Sequence, residues 1–188
     1  MFSDEIKKYT ADSHKRLERR MIPLLKCIHT TEQYVSLLGF MYRYYKPLEN
    51  SLHPFRELQQ HHWPSVNIEN DIRFFHPTYA LPIEHAESIP VVDSPAKATG
   101  VWYVIEGSTL GGQIITKMLR NQLSVAGQDG FTFYNPYGDE TMPNWILFRE
   151  KLNSVVSEQE RAEIVEGANQ TFETLDSWIS SFGLLNQS

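Results

Sequence analysis

The sequence predicts an all-α protein folded as a compact multi-helix bundle. Three observations predict this fold class. Apolar residues recur at three- and four-residue intervals along most of the chain, serines and threonines stand where helices should begin, and strictly alternating apolar and polar runs are nearly absent. The 188 residues suit a single domain, 1–188, with a core large enough to need neither a disulfide nor a metal.

The first two predicted helices carry recognisable start and stop signals. Ser3 is expected to cap the first helix, and Pro23 is expected to end it. Thr30 and Gln33 have the spacing of a capping box before the second helix. Pro47 should kink this helix or separate it from the next, which is predicted over 48–58. Residues 61–65 are expected to form a break.

The second half of the chain begins with a proline-rich connection over 76–95. Ser94 followed by a proline predicts the start of a long helix that runs to about Leu123. Residues 131–134 are expected to be a short extended piece. Two more helices are predicted, over 142–155 and from 158 to about 181, and Ser157 should cap the second of them.

Composition and charge exclude several functional classes. A net charge of −6 argues against a nucleic-acid partner. A single cysteine, Cys27, excludes a disulfide framework and any multi-cysteine zinc site. No apolar run approaches the roughly 20 residues of a membrane span, and the first residues lack the apolar core of a signal peptide. We therefore expect a soluble, cytoplasmic protein without a membrane partner.

One basic cluster stands out on this acidic chain. The window 7–20 holds six basic residues against two acids and is therefore +4. Such a cluster indicates a docking site for an anion. A solvated helix face that happens to be basic explains the cluster equally well at this stage.

Three glycines, Gly107, Gly111 and Gly112, interrupt an otherwise apolar helical segment, and each costs about 1 kcal/mol relative to alanine there. A phosphate loop is excluded, because Gln113 and Ile114 stand where lysine and serine or threonine are required. Two interpretations of Gly107 and Gly111 stay open. They could allow a close helix–helix crossing, or they could let the helix lie across a flat ligand.

His14 differs from the other six histidines, which look like surface or turn residues. It lies on the inward stripe of the first helix. Glu18, one turn later, could accept the Nδ1–H of its ring and leave Nε2 free for a metal. No further histidine or carboxylate is spaced with His14 for a metal cage made by protein alone. A single axial histidine suits haem, because the porphyrin supplies four nitrogens.

Along nearly its whole length, the sequence resembles the haem oxygenase family. Residues 10–18, TADSHKRLE, resemble the proximal helix of the family, and residues 42–49 resemble its second helix. Residues 106–113, EGSTLGGQ, are similar to the distal helix, whose glycines let its backbone lie over the haem. Residues 131–134 and 147–153 resemble the segment that enters the last two helices.

The resemblance implies a role for each matching residue. His14 is the iron ligand, Glu18 hydrogen-bonds its ring, and Lys7 and Arg149 pair with the haem propionates. The implied haem-binding positions are Lys7, Thr10, His14, Glu18, Gly112 and Arg149. The implied catalytic positions are Tyr42, Gly107, Ser108 and Gly111.

Two positions depart from the family pattern. Ser108 replaces the aspartate that organises distal waters in the animal enzymes, and this change fits a bacterial branch with Glu-Gly-Ser. Trp145 stands where a family lysine can seat a propionate.

The implied activity is the oxidative cleavage of haem to biliverdin, carbon monoxide and ferrous iron. This reaction uses O₂ and an external electron donor, a ferredoxin or a flavoprotein reductase, and the biliverdin could pass to an acceptor such as a phytochrome. The alternative is a haem-binding carrier or sensor of the same fold without turnover, which Ser108 favours. Haem-free relatives of this fold would need a positioned cysteine nucleophile or Glu-x-x-His pairs, and a plain helical interaction module would take up no haem.

Overall fold

The computed structural model describes residues 1–58, 62–83, 85–127 and 129–185, and within these ranges the fold is all-helical, without strands. This confirms the predicted fold class. The α-helices are α1 Phe2–Tyr9, α2 Ala11–Lys26, α3 Thr31–Leu52, α4 Pro64–Phe75, α5 Pro95–Leu123, α6 Thr141–Asn153 and α7 Glu158–Leu185. Two 3₁₀ helices, His53–Leu58 and Gly138–Glu140, precede α4 and α6.

The crossing of α5 and α7 forms the centre of the bundle. A Cβ atom on Gly100 would overlap the carbonyl oxygen of Ile164, and one on Gly167 would lie 2.5 Å from the carbonyl oxygen of Lys97. The two backbones therefore touch without an intervening side chain. The close helix–helix crossing of this fold thus lies at Gly100 and Gly167, which the sequence analysis did not single out.

The first predicted helix is two helices. The chain breaks at Thr10 (φ −103°, ψ −1°), between α1 and α2. Ser3 is not the cap, because α1 starts at Phe2, and the backbone N–H of Ser3 donates instead to Asn153 Oδ1 at 2.9 Å. Pro23 does not end α2 either. It is exposed on a helix that continues to Lys26, so water can bind the carbonyl that the proline leaves without a donor.

The second predicted helix is confirmed at its start and wrong at its end. The side chain of Thr30 accepts from the backbone of Gln33, and the side chain of Gln33 accepts from the backbone of Thr30, which completes the capping box. Pro47 lies inside α3 and does not separate it from a further helix. The segment after α3, predicted as α-helix to residue 58, is 3₁₀ helix.

Helix α4 was not predicted. It begins within the expected break at 61–65, where Trp63 is extended and Pro64 takes the first helical position. Residue 61 itself lies outside the described residues. The buried carboxylate of Glu49 on α3 accepts hydrogen bonds from the backbone N–H of Ser65, at 2.5 Å, and from its hydroxyl. These bonds join the start of α4 to α3.

A buried carboxylate on α4 also explains why residues 131–134 are not extended. Asp71 accepts hydrogen bonds from the backbone N–H of Thr132 and of Phe133, each at 2.8 Å. Two consecutive N–H groups that point at one carboxylate impose a turn, which is what the structure has here.

The last three helices begin as predicted. Ser94 caps α5 by accepting from Lys97 N at 3.2 Å, and Ser157 Oγ accepts from Glu160 N at 3.3 Å at the start of α7. Helix α7 extends a few residues further than expected, to Leu185. Among the described residues, no helix combines the length and the apolar character needed to cross a bilayer.

Candidate functional site

Helix α7 holds the two helices that carry most of the predicted site residues. Helix α5 crosses α7 at Gly100, as described above. Helix α2 lies along α7 through Ser13, whose Oγ is 2.9 Å from Asn169 Oδ1, and through Arg20, whose Nε is 2.7 Å from Asp176 Oδ1. Helices α2 and α5, which are far apart in sequence, therefore both pack against α7.

His14 lies on the surface of α2, with its ring over α7. Its ring centroid is 5.4 Å from that of Phe172, and its side chain is 54% exposed. Phe172 therefore backs the ring on one side, while the other side is open to solvent. His14 was expected on the inward stripe of its helix, but the side chain is exposed. Phe172 was not predicted as its neighbour.

Glu18 faces His14 as predicted, although through the other ring nitrogen. The close pair is His14 Nε2 and Glu18 Oε1, at 3.5 Å, and both side chains are about half exposed. The expected contact was with Nδ1. Because the two side chains are exposed at consecutive turns of one helix, a turn of the imidazole ring exchanges its nitrogens without moving the backbone.

Helices α2 and α5 are joined one turn before His14 and one turn before Gly107. The side chain of Tyr103 on α5 lies close enough to Thr10 for Thr10 to lower the pKa of the tyrosine, and Thr10 Oγ1 donates to the carbonyl of Ile6 at 2.8 Å. Burial raises the pKa of Tyr103, so this hydroxyl stays protonated at neutral pH. Thr10, expected to touch a ligand, here anchors the entry of α2 against α5.

Helix α5 presents an open apolar face beyond that junction. Gly107, Leu110, Gly111 and Ile114 follow the spacing of one helix face. A Cβ on Gly107 would meet only the ring of Trp145, at 3.7 Å, and one on Gly111 only the Cδ1 of Ile115, at 4.0 Å. Leu110 is 38% exposed and Ile114 76%. We call these four residues the glycine face.

The surroundings of the glycine face bear on the two interpretations of Gly107 and Gly111. Among the described residues no second backbone lies within 4 Å of a Cβ placed on either glycine. A close helix–helix crossing therefore does not explain these two glycines, and the interpretation as a surface for a flat ligand stays a prediction.

Gly112 has a different role from its neighbours. A Cβ there would overlap the carbonyl oxygen of Tyr134, so the residue is buried against the backbone of the segment before α6. This contact is sufficient by itself to require glycine at position 112.

An aromatic wall borders the glycine face. Trp145 of α6 lies next to Gly107, with its ring 5.8 Å from that of Tyr103 and 5.9 Å from that of Phe148. On the same helix Ile146 and Leu147 are each about half exposed. From the sequence, Trp145 differed from the family only in replacing a lysine. In the structure its ring forms a side wall of the candidate site.

The cations around this site differ in how they are paired. Arg149 Nη2 donates to Asp4 Oδ1 at 3.0 Å and to Ser3 Oγ at 3.1 Å, and it lowers the pKa of Tyr103, though by less than burial raises it. Lys7 is exposed on α1. Of the basic cluster, Arg16 and Arg20 pair with acids of α7, so the cluster is partly a helix–helix contact.

No described hydrogen bond joins Ser108 directly to Tyr42. The Oγ of Ser108 donates to the carbonyl of Ile105 at 2.7 Å. Tyr42 is nearly buried, and its pKa is raised first by burial and then by the charges of Glu69 and Glu49.

A buried polar network lies next to the glycine face and was missed. The hydroxyl of Tyr137 is 3.0 Å from both carboxylate oxygens of Glu106 and 2.8 Å from Nδ1 of His62. Glu106 is 1% exposed, and the side chain of His62 is 9% exposed. His62 was expected to be a surface or turn residue; it does lie in the connection before α4, but its side chain is buried. The one sequence signal that could have revealed this network is Glu106, because a carboxylate within an apolar helical segment needs polar partners.

The groups present suit a flat ligand that brings most of its own metal ligands. One exposed imidazole lies on α2, and an apolar face cleared by two glycines lies on α5. In the described part of the chain no group of three or more histidine, cysteine, aspartate or glutamate side chains could hold a metal ion. An axial imidazole and an apolar surface are what the protein has to contribute to a haem site.

Comparison with known proteins agrees with this geometry. The family model described as Heme oxygenase matches residues 1–181. A haem oxygenase of Xanthomonas campestris is 36% identical over 84 residues, which cover 44% of this chain and only half of that relative's length.

Solved structures share the fold. The haem oxygenase of Leptospira interrogans superposes with a TM-score of 0.78 at 21% identity, covering 96% of this chain and 99% of its own. Haem oxygenase-1 of Synechocystis, in complex with haem, gives a TM-score of 0.76 at 19% identity, with 99% and 94% covered. Haem oxygenase-2 of the same cyanobacterium, in complex with haem and NO, gives 0.77 at 19% identity, with 98% and 86% covered. The family model matches residues 1–181 of this 188-residue chain, and the solved structures have the same helical fold. The chain therefore belongs to the haem oxygenase family.

Proposed function

We propose that this protein is an enzyme that opens haem to biliverdin, with release of carbon monoxide and ferrous iron. The reaction would consume O₂ and electrons from an external donor, a ferredoxin or a flavoprotein reductase. The observation that carries the proposal is the glycine face of α5, which is open and apolar and is joined, at the Thr10–Tyr103 contact, to the helix that bears His14. We further propose a cytoplasmic location and a biliverdin acceptor such as a phytochrome.

His14 would supply the protein's axial nitrogen to the iron. It is exposed, it is backed by Phe172, and no described hydrogen bond within the bundle occupies its ring. Glu18 would accept the N–H of the nitrogen that does not bind iron, which fixes the tautomer and makes the ligating nitrogen more basic.

The glycine face and Trp145 would bind the ring through apolar contact. Leu110 and Ile114 are costly to leave in water, and a flat apolar ligand removes them from it. Gly107 and Gly111 let the backbone come close to that ligand, since no side chain intervenes. Lys7 and Arg149 would pair with the propionates, although Arg149 would then share its guanidinium with Asp4.

Bound haem supplies the iron that takes up O₂ and the meso carbon that is oxidised. The chain's part on this side is to limit the space available and to hold water. Ser108 already donates its hydroxyl proton to the carbonyl of Ile105, so its oxygen is left to accept a hydrogen bond from water. We propose that Ser108 positions such a water at the edge of the glycine face.

A haem carrier or sensor without turnover is the second candidate, and one observation favours it. Ser108, rather than a carboxylate, follows Gly107 on α5, and its hydroxyl already donates to the carbonyl of Ile105. Both candidates require the same binding site, so haem uptake alone cannot separate them.

A single-turnover experiment separates them. Haemin is added to the purified protein, then a reductant in air, and the Soret band is followed together with the absorbance of biliverdin. If the protein is an enzyme, the Soret band decays while the absorbance of biliverdin appears, and chromatography identifies the pigment. A Soret band that stays intact under reductant and oxygen, in a protein that has bound haem, would establish the carrier and refute the enzyme.

A further inference from the structure

A polar cleft lies between the C-terminal half of α5 and the segment before α6, and the haem proposal makes no use of it. Its volume is about 490 Å³. Gln113, Thr116, Lys117 and Arg120 share one face of α5 and form one wall, and Asn135 and Asp139 belong to the other. Every side chain that lines this cleft is polar or charged.

The second wall is held in place by the first. Gln113 Nε2 donates to the carbonyl of Gly138 at 2.9 Å, and the hydroxyl of Thr141 donates to the same carbonyl at 2.8 Å. Gly138 has φ +54°, a left-handed conformation that favours glycine. The cleft is therefore a fixed feature of the fold between two joined segments.

Three buried polar atoms surround this cleft without a hydrogen-bond partner among the described residues: Thr116 Oγ1, Arg120 Nε and Asn135 Oδ1. Thr116 is only 4% exposed. A buried polar group without a partner destabilises the folded protein. Each of these atoms exposes less than 1 Å², so they mark an incompletely hydrogen-bonded polar lining and do not themselves reach into the cleft.

The charges and the size of the cleft narrow the choice of ligand. Two cations, Lys117 and Arg120, outnumber the carboxylate of Asp139, so the cleft favours an anion. Its polar lining is unsuited to a tetrapyrrole. Its volume exceeds the space of a single phosphate ion and falls in the range of small-molecule sites, about 300–1,000 Å³.

We propose that this cleft binds a small hydroxylated phosphate ester, of the sugar-phosphate class. The phosphate would take its hydrogen bonds from the ammonium group of Lys117 and from the terminal guanidinium nitrogens of Arg120. Hydroxyl groups of the organic part would donate to the carboxylate of Asp139. This inference does not depend on haem binding or turnover.

The test is a calorimetric and ¹⁵N NMR titration of the haem-free protein with four probes: glucose 6-phosphate, glucuronate, glucose and inorganic phosphate. Glucose 6-phosphate should bind saturably, with a Kd of about 1 mM or tighter, and shift the amide signals of residues 113–121 and 135–139. Glucuronate tests a carboxylate on the same kind of ring, and glucose tests the hydroxyls alone; both should bind at least about tenfold more weakly.

Two variants and a control locate the site. Arg120→Gln removes a charge-assisted donor and should weaken binding about tenfold or more. Lys117→Gln, at an exposed position, should weaken it too and guards against misfolding of the first variant. Lys151→Gln, exposed on α6, removes the same charge elsewhere and should bind as the unaltered protein does.

Several outcomes would overturn the proposal. The first is that glucose 6-phosphate does not bind saturably, and the second is that inorganic phosphate binds as tightly as this ester. The third is that the Lys117 and Lys151 variants bind glucose 6-phosphate with the same affinity. Loss of haem binding in a separate assay would leave this result unaffected, so the two proposals fail independently.

Discussion

At the scale of single residues, His14 illustrates how exposure separates a ligand from a structural histidine. His62 makes its bonds inside the protein, with Tyr137 and Glu106, and its side chain is 9% exposed. His14 is 54% exposed and touches only Glu18 and Phe172 among the described contacts. A residue that contributes so little to the folded core can be replaced with little loss of stability, which makes its role directly testable.

We expect His14→Ala to weaken haem binding by about tenfold or more and to abolish the spectrum of histidine-ligated ferric haem. The midpoint of urea unfolding should stay nearly unchanged, because the side chain is exposed. Haemin titration followed at the Soret band measures the first effect. His53→Ala, at an exposed histidine outside the site, is the matched control. If the two variants gave the same spectrum and affinity, His14 would not be the ligand.

The glycines also differ residue by residue, and stability distinguishes them. Gly112→Ala forces a methyl group into the backbone of Tyr134 and should destabilise the protein by about 1–3 kcal/mol or more. Gly107→Ala places the same methyl group at an ordinary 3.7 Å from Trp145 and should stabilise the helix by up to about 1 kcal/mol. Urea unfolding of both variants without haem measures the difference. Equal losses of stability would mean that Gly107 is also a packing glycine.

At the scale of elements, the site depends on how α2 and α5 are held by α7. Ser13 and Arg20 attach α2 through polar side chains, and Gly100 attaches α5 through backbone contact. The contact of Thr10 with Tyr103 then joins the two helices one turn before the site. Beyond that contact no second backbone in the described part of the chain covers Gly107 or Gly111, so this face is available to a ligand.

Filling the glycine face should block the reaction without unfolding the protein. We expect Gly107→Leu to lower turnover of bound haem at least about tenfold, because the new side chain occupies the space between α5 and the ring. The single-turnover assay measures this effect, and circular dichroism confirms that the fold is kept. Ser180→Leu, at an exposed position of α7, adds the same side chain away from the site. Turnover by the Gly107 variant at the rate of this control would contradict the close approach of α5 to the ligand.

Sequence patterns predicted elements well where the signal is local. The Thr30–Gln33 capping box and the Ser94 cap depend on residues within one turn, and both are confirmed. Helix α4 was missed, although Pro64 gave a start signal, because the segment was interpreted as a break. The turn at 131–134 depends on Asp71, about sixty residues earlier in the chain, and no local pattern reports such a contact.

The same distinction holds for the site. The glycine spacing predicted an unusual surface on α5, but it could not tell Gly112, packed on Tyr134, from Gly107, which is open. The His14–Glu18 pair followed from helical spacing, whereas Phe172 behind the ring depends on how α2 meets α7. The network of Glu106 depends on three segments and was not predicted.

At the scale of the whole molecule, buried tyrosines govern how stability depends on pH. Burial raises the pKa of six tyrosines above the ordinary value of 10.0: Tyr34, Tyr42, Tyr44, Tyr45, Tyr103 and Tyr134. In the unfolded chain these groups lose their protons near pH 10, whereas in the folded protein they keep them to higher pH. The unfolded state therefore binds fewer protons above pH 10, and stability must fall as the pH rises through this range.

We expect the urea midpoint to be steady between about pH 8 and 9 and to fall steeply above about pH 10. Unfolding there should coincide with the appearance of tyrosinate absorbance. Tyr44→Phe removes one of the six groups and should reduce the slope by up to about 1.4 kcal/mol per pH unit. Tyr9→Phe, at an exposed tyrosine, should leave the slope unchanged. Equal slopes in the two variants would mean that Tyr44 titrates normally in the folded protein.

The backbone contact between Gly100 and Gly167 has a consequence for the geometry of the candidate site. Main chain resting on main chain has no rotamers to adjust, so the spacing of α5 from α7 at this crossing does not depend on side-chain packing. Substitutions along the glycine face of α5 can therefore alter the groups that a ligand meets while this spacing is kept.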